Sequence, residues 1–542
     1  MTSFTGTWRL TRLALRRDRV KLPIWILAIA GIMLVSVPAL SDVYGDPAAQ
    51  VTYAVTSASS VAARVFGGTV DGPSLGSITM VETYLFLAVL VAFMSTLCVI
   101  RHTRQNEELG RSELIGSTPV GRYSELSAAI IVSLLANLVT TLLLFLALSI
   151  EPELSRSGSL GLSLNYLLVG ISFTGIAALT AQLSESSRGA NSFAAIAIGV
   201  FFVLRGIGDA IGSVSADGMR VISGWPTWLS PFGWGQLVHP YTQGNWNIYW
   251  LFICFIAAIF SVSAILVKHR DSGSGILPAR NGPRYAKKSL LSVNGLTWRL
   301  QKGTMIGWAI VGLALGITYG SIANQFSDML ETNEQFAEFI GAMGGQENIT
   351  NIFFGAMFSF TAVIIAGYGL QALLKTRTEE STDRLEQILG THVSRERWLG
   401  SHIIITVSGM TVILLTIGIS ASITNAIVSG SGWNGLVSLS LAPLVHLPAM
   451  AIMYGIGVFL FGSKPSWMIA GVWSIFGLFL VIGQFAVLLK LPDWVINVSP
   501  FSHAPLLPSD SLKIVPIVAL STVATVLILS GTVLFRRRDL QI

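Results

Sequence analysis

Residues 101–122 read RHTRQNEELGRSELIGSTPVGR, four arginines and three glutamates in a chain that is 52% hydrophobic and only 11% charged. The runs on either side, 78–100 and 125–149, are apolar. Each is long enough to cross a hydrocarbon layer of about 30 Å at about 1.5 Å per helical residue. A block this polar between two such runs is a loop at a membrane surface, and it sets the reading of the whole chain. Mean hydropathy of +0.67 over 542 residues is too high for a water-soluble globule with a polar exterior. The expected fold class is all-α, a polytopic membrane protein.

Twelve such runs can be placed, near 22–41, 78–100, 125–149, 161–183, 191–212 and 248–267, then near 304–325, 352–373, 401–422, 435–461, 467–489 and 514–535. The first follows a basic stretch, as in a signal peptide, but it is long enough to span and has no clear A-x-A site, so it reads as an uncleaved span. With the N-terminus inside, 28 of the 34 lysines and arginines fall in inner segments, five in outer ones, and Arg205 within a span. That bias predicts both termini in the cytoplasm. A net charge of +6 then reflects attraction to anionic lipid at the inner face, and nucleic acid is not implied. Cys98 and Cys254 both lie inside apolar runs, so the sequence offers neither a disulfide framework nor a cysteine zinc site.

The block recurs. Moved on by 273 positions it lands on TRTEESTDRLEQILGTHVSR, 376–395. There Thr103, Arg104, Glu107, Arg111, Glu113, Thr118, Val120 and Arg122 meet Thr376, Arg377, Glu380, Arg384, Glu386, Thr391, Val393 and Arg395. Fainter echoes fall at matching stages: TWRL at 7–10 and 297–300, Ser-Pro-Phe at 230–232 and 499–501, Arg-Asp after the last span at 270–271 and 538–539. Six spans per half, each half starting inside, make a parallel duplication about an axis along the membrane normal. The halves are 1–270, opened by an amphipathic helix, and 297–542, with a Gly-, Pro- and basic-rich linker at 271–296.

Glu107–Arg111 and Glu380–Arg384 are i to i+4 pairs in the favourable order, which predicts a surface helix in each block, with Pro119 as a stop in the first. A solvated loop would explain the charge of either block alone; preservation of the spacing in two copies favours function. ELGRSELIGSTPVGR, directly after the second span, resembles the signature of type-2 ABC exporter permeases, in which a glutamate-rich helix runs into a Thr-Pro-Val-x-Arg stretch. With twelve spans in one chain, the layout resembles the fused permeases of actinobacterial polyketide-antibiotic (tetronasin-type) exporters. The resemblance implies that Arg104, Glu107, Arg111, Glu113, Thr118, Pro119 and Arg122, with Arg377, Glu380, Arg384, Glu386, Thr391 and Arg395, form two elements that dock on ATP-binding subunits. It implies two such ABC subunits per permease, holding the ATP and magnesium, with no cofactor in this chain. It further implies a bacterial cell membrane and a small amphipathic or hydrophobic cargo such as an antibiotic. His392 stands where the first copy has Pro119, which leaves the equivalence of the two docks open. No G-x-x-x-x-G-K-[ST] phosphate cradle occurs in the chain, so the ATPase is expected on a separate protein.

The stretch TWRLTRLALRRDRVKL, 7–22, sets Trp8, Leu10, Leu13 and Leu15 among arginines, as an amphipathic helix in the inner interface does, with the Trp298 segment as its shorter partner. Ordinary positive-inside flanks fit nearly as well. By the same resemblance, Pro231 and Phe232 in WPTWLSPFGWGQLVHPYTQGNW and Pro500 and Phe501 in LPDWVINVSPFSHAP are candidates for partly re-entrant gate segments on the outer side. The alternative is that Trp225, Trp228, Trp234, Trp246, Trp250 and Trp494 form an aromatic belt. Ionisable residues inside spans are functional candidates: Glu82 near the outer end of the second, Arg205 and Asp209 in the fifth, His446 in the tenth. A purely structural ion pair or a hydrogen bond between helices is the alternative for each. The sequence thus reads as an ATP-driven export permease working by alternating access, not an enzyme. An ion-coupled secondary transporter shares the twelve-span layout, but Glu82 and Asp209 lie too near the outer face for a midmembrane proton relay.

Overall fold

A computed structural model of the protein describes residues 3–242, 244–271, 273–277, 284–332, 349–430, 435–485 and 492–539. It divides into two compact units, Met1–Gly282 and Pro283–Ile542, each with its own hydrophobic core. The first holds α1 (Thr7–Arg17) and then α2 (Lys21–Tyr44), α3 (Leu75–His102), α4 (Ser124–Leu148), α5 (Arg156–Leu183), α6 (Ser187–Ala210) and α7 (Tyr249–His269). The second holds α8 (Val293–Thr332), α9 (Ile349–Ser381), α10 (Arg395–Ser429), α11 (Leu447–Ser463), α12 (Pro465–Phe485) and α13 (Ile514–Arg537). Among the described residues, eleven helices are long and apolar enough to cross a membrane. The run expected at 467–489 falls on α12, whose apolar part, Pro465–Leu480, is shorter. The fold is all-α and polytopic; among the described residues the strands are a two-residue pair, Ser213–Val214 with Val221–Ile222.

Helix starts follow from local chemistry. Ser74, Ser155, Ser186 and Ser394 accept the backbone N–H of Ser77, Gly158, Gly189 and Arg397 at 3.1–3.2 Å. Each such cap satisfies a donor that the helix itself leaves open and is worth about 1 kcal/mol. Burial then sorts the helices. In the first unit 72% of the apolar stretch is buried in the second and fourth spans, against 22% in the first and 17% in the sixth. The second unit repeats this order, with 67% buried in Thr350–Ser381, 61% in Leu436–Ser463, 28% in Val293–Ala323 and 17% in Ile514–Arg537. The spans that bracket each charged block therefore include the most buried helix of the unit.

Two expectations are corrected. The Trp298 segment is not a separate elbow helix: it lies inside α8, which runs unbroken from Val293. In the first half the chain breaks after Arg17, and Pro23 lies in the first turn of α2. A proline has no N–H to continue a helix backward and its ring crowds the carbonyl four residues earlier; the position that corresponds under the TWRL alignment is Leu313, which does neither. Trp234 does not fit the aromatic belt. Trp225, Trp228, Trp246, Trp250 and Trp494 are exposed, whereas Trp234 is packed in the core.

Candidate functional site

In each unit the charged block folds as a hairpin on the end of the long helix before it. In the first copy, helix Arg104–Glu108 stops, Gly110 takes a left-handed φ of 68°, and a second short helix runs from Arg111 to Gly116. In the second copy, Asp383 takes φ 58° and the short helix runs from Arg384 to Leu389. Gly110 and Asp383 are 273 positions apart, so the same register carries the same backbone reversal. Glycine adopts it freely and aspartate is among the few residues that tolerate it. Both hairpins close alike: Thr118 Oγ1 donates to Ile115 O and Thr391 Oγ1 to Ile388 O, each at 2.6 Å. Exchange of Pro119 for His392 leaves this closure intact.

The reversal corrects the expected ion pairs. It falls between Glu107 and Arg111, and between Glu380 and Arg384, so neither i to i+4 pair forms. Glu107 instead receives Arg104 Nη1 at 2.7 Å and both terminal nitrogens of Arg270, at 3.0 and 2.5 Å. Glu380 receives Arg377 Nη1 at 2.8 Å and Arg538. Arg122 answers from the far side of its hairpin, donating to the carbonyls of Val267 and Arg270 at 3.1 and 3.0 Å. Arg395 reaches the carbonyls of Phe535, Arg536 and Arg538. Each block thus has an anchored front and a free tip. Arg104 is fully buried, with Nε and Nη2 on Ala181 O at 3.0 and 2.6 Å, while Arg111, Glu113, Thr118, Pro119, Arg384, Glu386 and Thr391 are exposed.

Sequence reasoning missed Arg270 and Arg538; the signal was the Arg-Asp repeat after the last span of each half. It also missed the network that ties α1 to the first block. Arg17 donates to Asn106 at 2.8 Å, Glu125 accepts from Asn106 and Ser112, and Glu108 accepts the N–H and hydroxyl of Ser187 at the start of α6. Asp18, just past α1, takes Arg101 at 2.9 Å and His102 at 2.8 Å. Burial works to raise the Asp18 carboxyl, but these hydrogen bonds outweigh it and hold the group below the ordinary carboxylate range. Asp18, Cys98 and His102 bring three ligand-type atoms within 4.8 Å of one another. The guanidinium of Arg101 already neutralises Asp18 and opposes a metal ion there, so the cluster reads as an anchor.

At the opposite end of the first unit, Arg205 and Asp209 pair at 2.9 Å with both side chains fully buried. Arg205 also donates to Arg64 O and Val65 O at 3.1 and 2.5 Å. Asp209 accepts from Ser223, Thr227 and Gln236 at 2.7, 3.2 and 3.2 Å. This clasp gathers helix Val61–Phe66, α6, the turn Trp225–Leu229 and helix Pro231–Leu237. That last helix is a plug, buried along its whole length. Phe232 is at 5.0 Å from Phe173, its carbonyl accepts Tyr84 Oη at 2.9 Å, and Asn165 donates to Gly235 O at 2.7 Å. In the second unit Pro500 and Phe501 begin a short turn and are themselves buried, so the Ser-Pro-Phe echo buries its phenylalanine in both halves.

Glu82 is exposed and accepts Tyr53 Oη at 2.6 Å. It heads the one open stripe on α3, followed by Phe86, Val89, Leu90, Phe93 and Leu97 at helical spacing, with every other residue of its face buried except Arg101. His446 is fully buried, and among the described residues neither ring nitrogen has a hydrogen-bond partner. The structure does not bring these candidates into one site: the blocks lie at one end of each unit, and the clasp and plug at the other.

Comparison with known proteins agrees with this architecture. The family model described as "Multidrug efflux system permease Rv1217c, C-terminal domain" matches residues 290–536. The multidrug efflux system permease protein Rv1217c of Mycobacterium tuberculosis (strain ATCC 25618 / H37Rv) is 33% identical over 542 residues, covering 100% of this chain and 96% of that protein. A chain with this helical membrane fold, aligned end to end at that identity, belongs to the family of the multidrug efflux system permease Rv1217c.

Proposed function

We propose that the chain is the membrane-spanning permease of an ATP-driven, type-2 ABC exporter of the fused tetronasin-type group, moving amphipathic or hydrophobic drugs out across a bacterial plasma membrane. The observation that carries the reading is the pair of hairpins: the same backbone reversal, 273 residues apart, presents an exposed tip on an anchored base in both halves. A mere loop has no need of an anchor. The blocks and both termini face the cytoplasm, where one ATP-binding subunit, carrying its own ATP and magnesium, docks on each tip. Closure of the two subunits pushes the tips, and the halves alternate between inward and outward exposure. The relative's name supports drug efflux as the output. The open stripe on α3, apolar from Phe86 to Leu97 with the Glu82 carboxylate at one end, offers such cargo a greasy face and a site for a cationic group.

The test is affinity purification of the tagged chain from its host in mild detergent, with mass spectrometry of what comes with it. The expected result is a P-loop ATPase near two copies per permease. Leu114, 74% exposed at the first tip, is the residue to change: Leu114→Arg is expected to weaken that capture with the permease still inserted. A permease that comes out alone under conditions that preserve complexes, and that exports drug on ion gradients after ATP depletion, refutes the reading.

A further inference from the structure

The tie between block and last span recurs in both halves with the same residue types at both ends. Glu107 and Arg122 grip the end of α7 through Arg270 and two carbonyls. Glu380 and Arg395 grip the end of α13 through Arg538 and three. The partners are 163 and 158 residues apart in sequence, so neither hairpin needs the tie in order to close. Arg270 forks onto its carboxylate with both terminal nitrogens and Arg538 meets Glu380 with one; in each half a second arginine returning from the other side fixes direction as well as distance. The other end of α7 meets the plug: Phe252 and Phe255 pack edge-on against Trp234 at ring separations of 5.2 and 5.4 Å, and Tyr249 Oη donates to Gly161 O.

We propose that Arg270 and Arg538 are positioning residues that make the last span of each half an output arm of the charged block, and that α7 carries the block's displacement to the Pro231–Leu237 plug. The proposal rests on the blocks being the place where the driving subunit pushes. A helix of this length is stiff on the scale of the displacement, and a clamp that holds two hydrogen-bonding directions passes on rotation as well as translation. The plug, met by α7 at Trp234 and held at Phe232 O by Tyr84, is then moved from one side by α7 and restrained from the other by α3.

Drug efflux is measured in cells expressing Arg270→Gln, Arg538→Gln, Arg270→Lys, Arg122→Gln and the Arg122→Gln/Arg270→Gln double variant at equal membrane abundance, together with capture of the ATPase by each. Arg270→Gln and Arg538→Gln are expected to lower efflux roughly tenfold, the equivalent of about one charge-assisted hydrogen bond. Capture persists, because the exposed tips are untouched. Arg270→Lys recovers part of the loss, and the double variant is no worse than Arg270→Gln, because both changes open one clamp. Wild-type efflux in Arg270→Gln and Arg538→Gln, or a double variant whose loss is the product of the single losses, overturns the proposal. If Arg270→Gln fails to accumulate, Arg270→Lys and Arg122→Gln decide by the same comparison. If the wild type captures no ATPase, the docking reading fails while the efflux comparisons still judge the clamp.

Discussion

Replacing Arg205 with alanine separates a structural clasp from a pathway residue. The guanidinium has no exposure and donates three hydrogen bonds, to Asp209, Arg64 O and Val65 O. Its removal leaves the Asp209 carboxylate, equally buried, with only the neutral donors of Ser223, Thr227 and Gln236. Breaking a buried pair from one side costs about 3–5 kcal/mol, because the remaining charge is uncompensated. The cost falls on the elements the clasp joins, helix Val61–Phe66 and the turn Trp225–Leu229, rather than on the block end. A loss of about 3 kcal/mol raises local opening about 10²-fold. Hydrogen exchange of the purified permease reads that directly, as faster deuterium uptake in 61–66 and 221–229 with uptake in 104–119 unchanged. A change below threefold at 61–66 refutes the buried-clasp energetics. Normal exchange with efflux abolished refutes the structural assignment and places Arg205 in the transport pathway.

Two further outcomes follow from the same geometry. Asp18 has its folded pKa below the unfolded value of about 3.9, so its contribution is present above that value and lost as pH falls through the lower, folded one; amide exchange along Thr7–Arg17, corrected for intrinsic rate, is expected to stay flat from pH 7 down to about 4.5 and rise below. A methyl group on Gly235 would lie 2.0 Å from Tyr84 Oη; Gly235→Ala is expected to cost about 1–3 kcal/mol by overpacking and to lower efflux, with Tyr84→Phe restoring part of both in a melting and transport comparison.

Membrane fold class, the position of eleven spans and the existence of two charged blocks were legible because each rests on composition over tens of residues, where side-chain detail averages out. Pairing within the blocks was not. Helical periodicity put Glu107 beside Arg111, but the reversal at Gly110 sits between them, and in the second copy the same reversal is hidden at Asp383, a residue that gives no turn signal as strong as glycine's. The true partners, Arg270 and Arg538, are more than 150 residues away from the glutamates they meet. Their only trace in the sequence is that Arg-Asp recurs after each last span. Arg205 and Asp209 were visible as a pair, because one helical turn separates them, but Arg64 and Val65 on one short helix and Gln236 on another, which complete the clasp, come from two distant segments. The continuous α8 is a further case: TWRL at 297–300 copies the first elbow's letters but not the proline that breaks it.

The two copies of the block share a register but differ at their exposed tips and around their clamps. At the first tip Leu109 and Leu114 are 55% and 74% exposed; the corresponding positions of the second tip are Thr382 and Gln387, also exposed. Under the proposed docking, a cleft that buries two leucines would gain apolar area that one receiving Thr382 and Gln387 would not. The clamps differ as well. The first borders a polar crevice of about 370 Å³ with Glu107, Arg122, Glu125, Gln182 and Arg270 on its sides. In the second, Arg538 lies over the rings of Phe461 and Phe535 at 5.2 and 5.5 Å, with Trp398 tilted against both. The rings add a cation–π contact to the ion pair, with Arg538 at 13% exposure against 10% for Arg270. The first clamp therefore holds by the number of its hydrogen bonds, two from Arg270 to Glu107, and the second by one bond from Arg538 to Glu380 beneath an aromatic cover, so the same substitution to glutamine removes different contacts in the two halves.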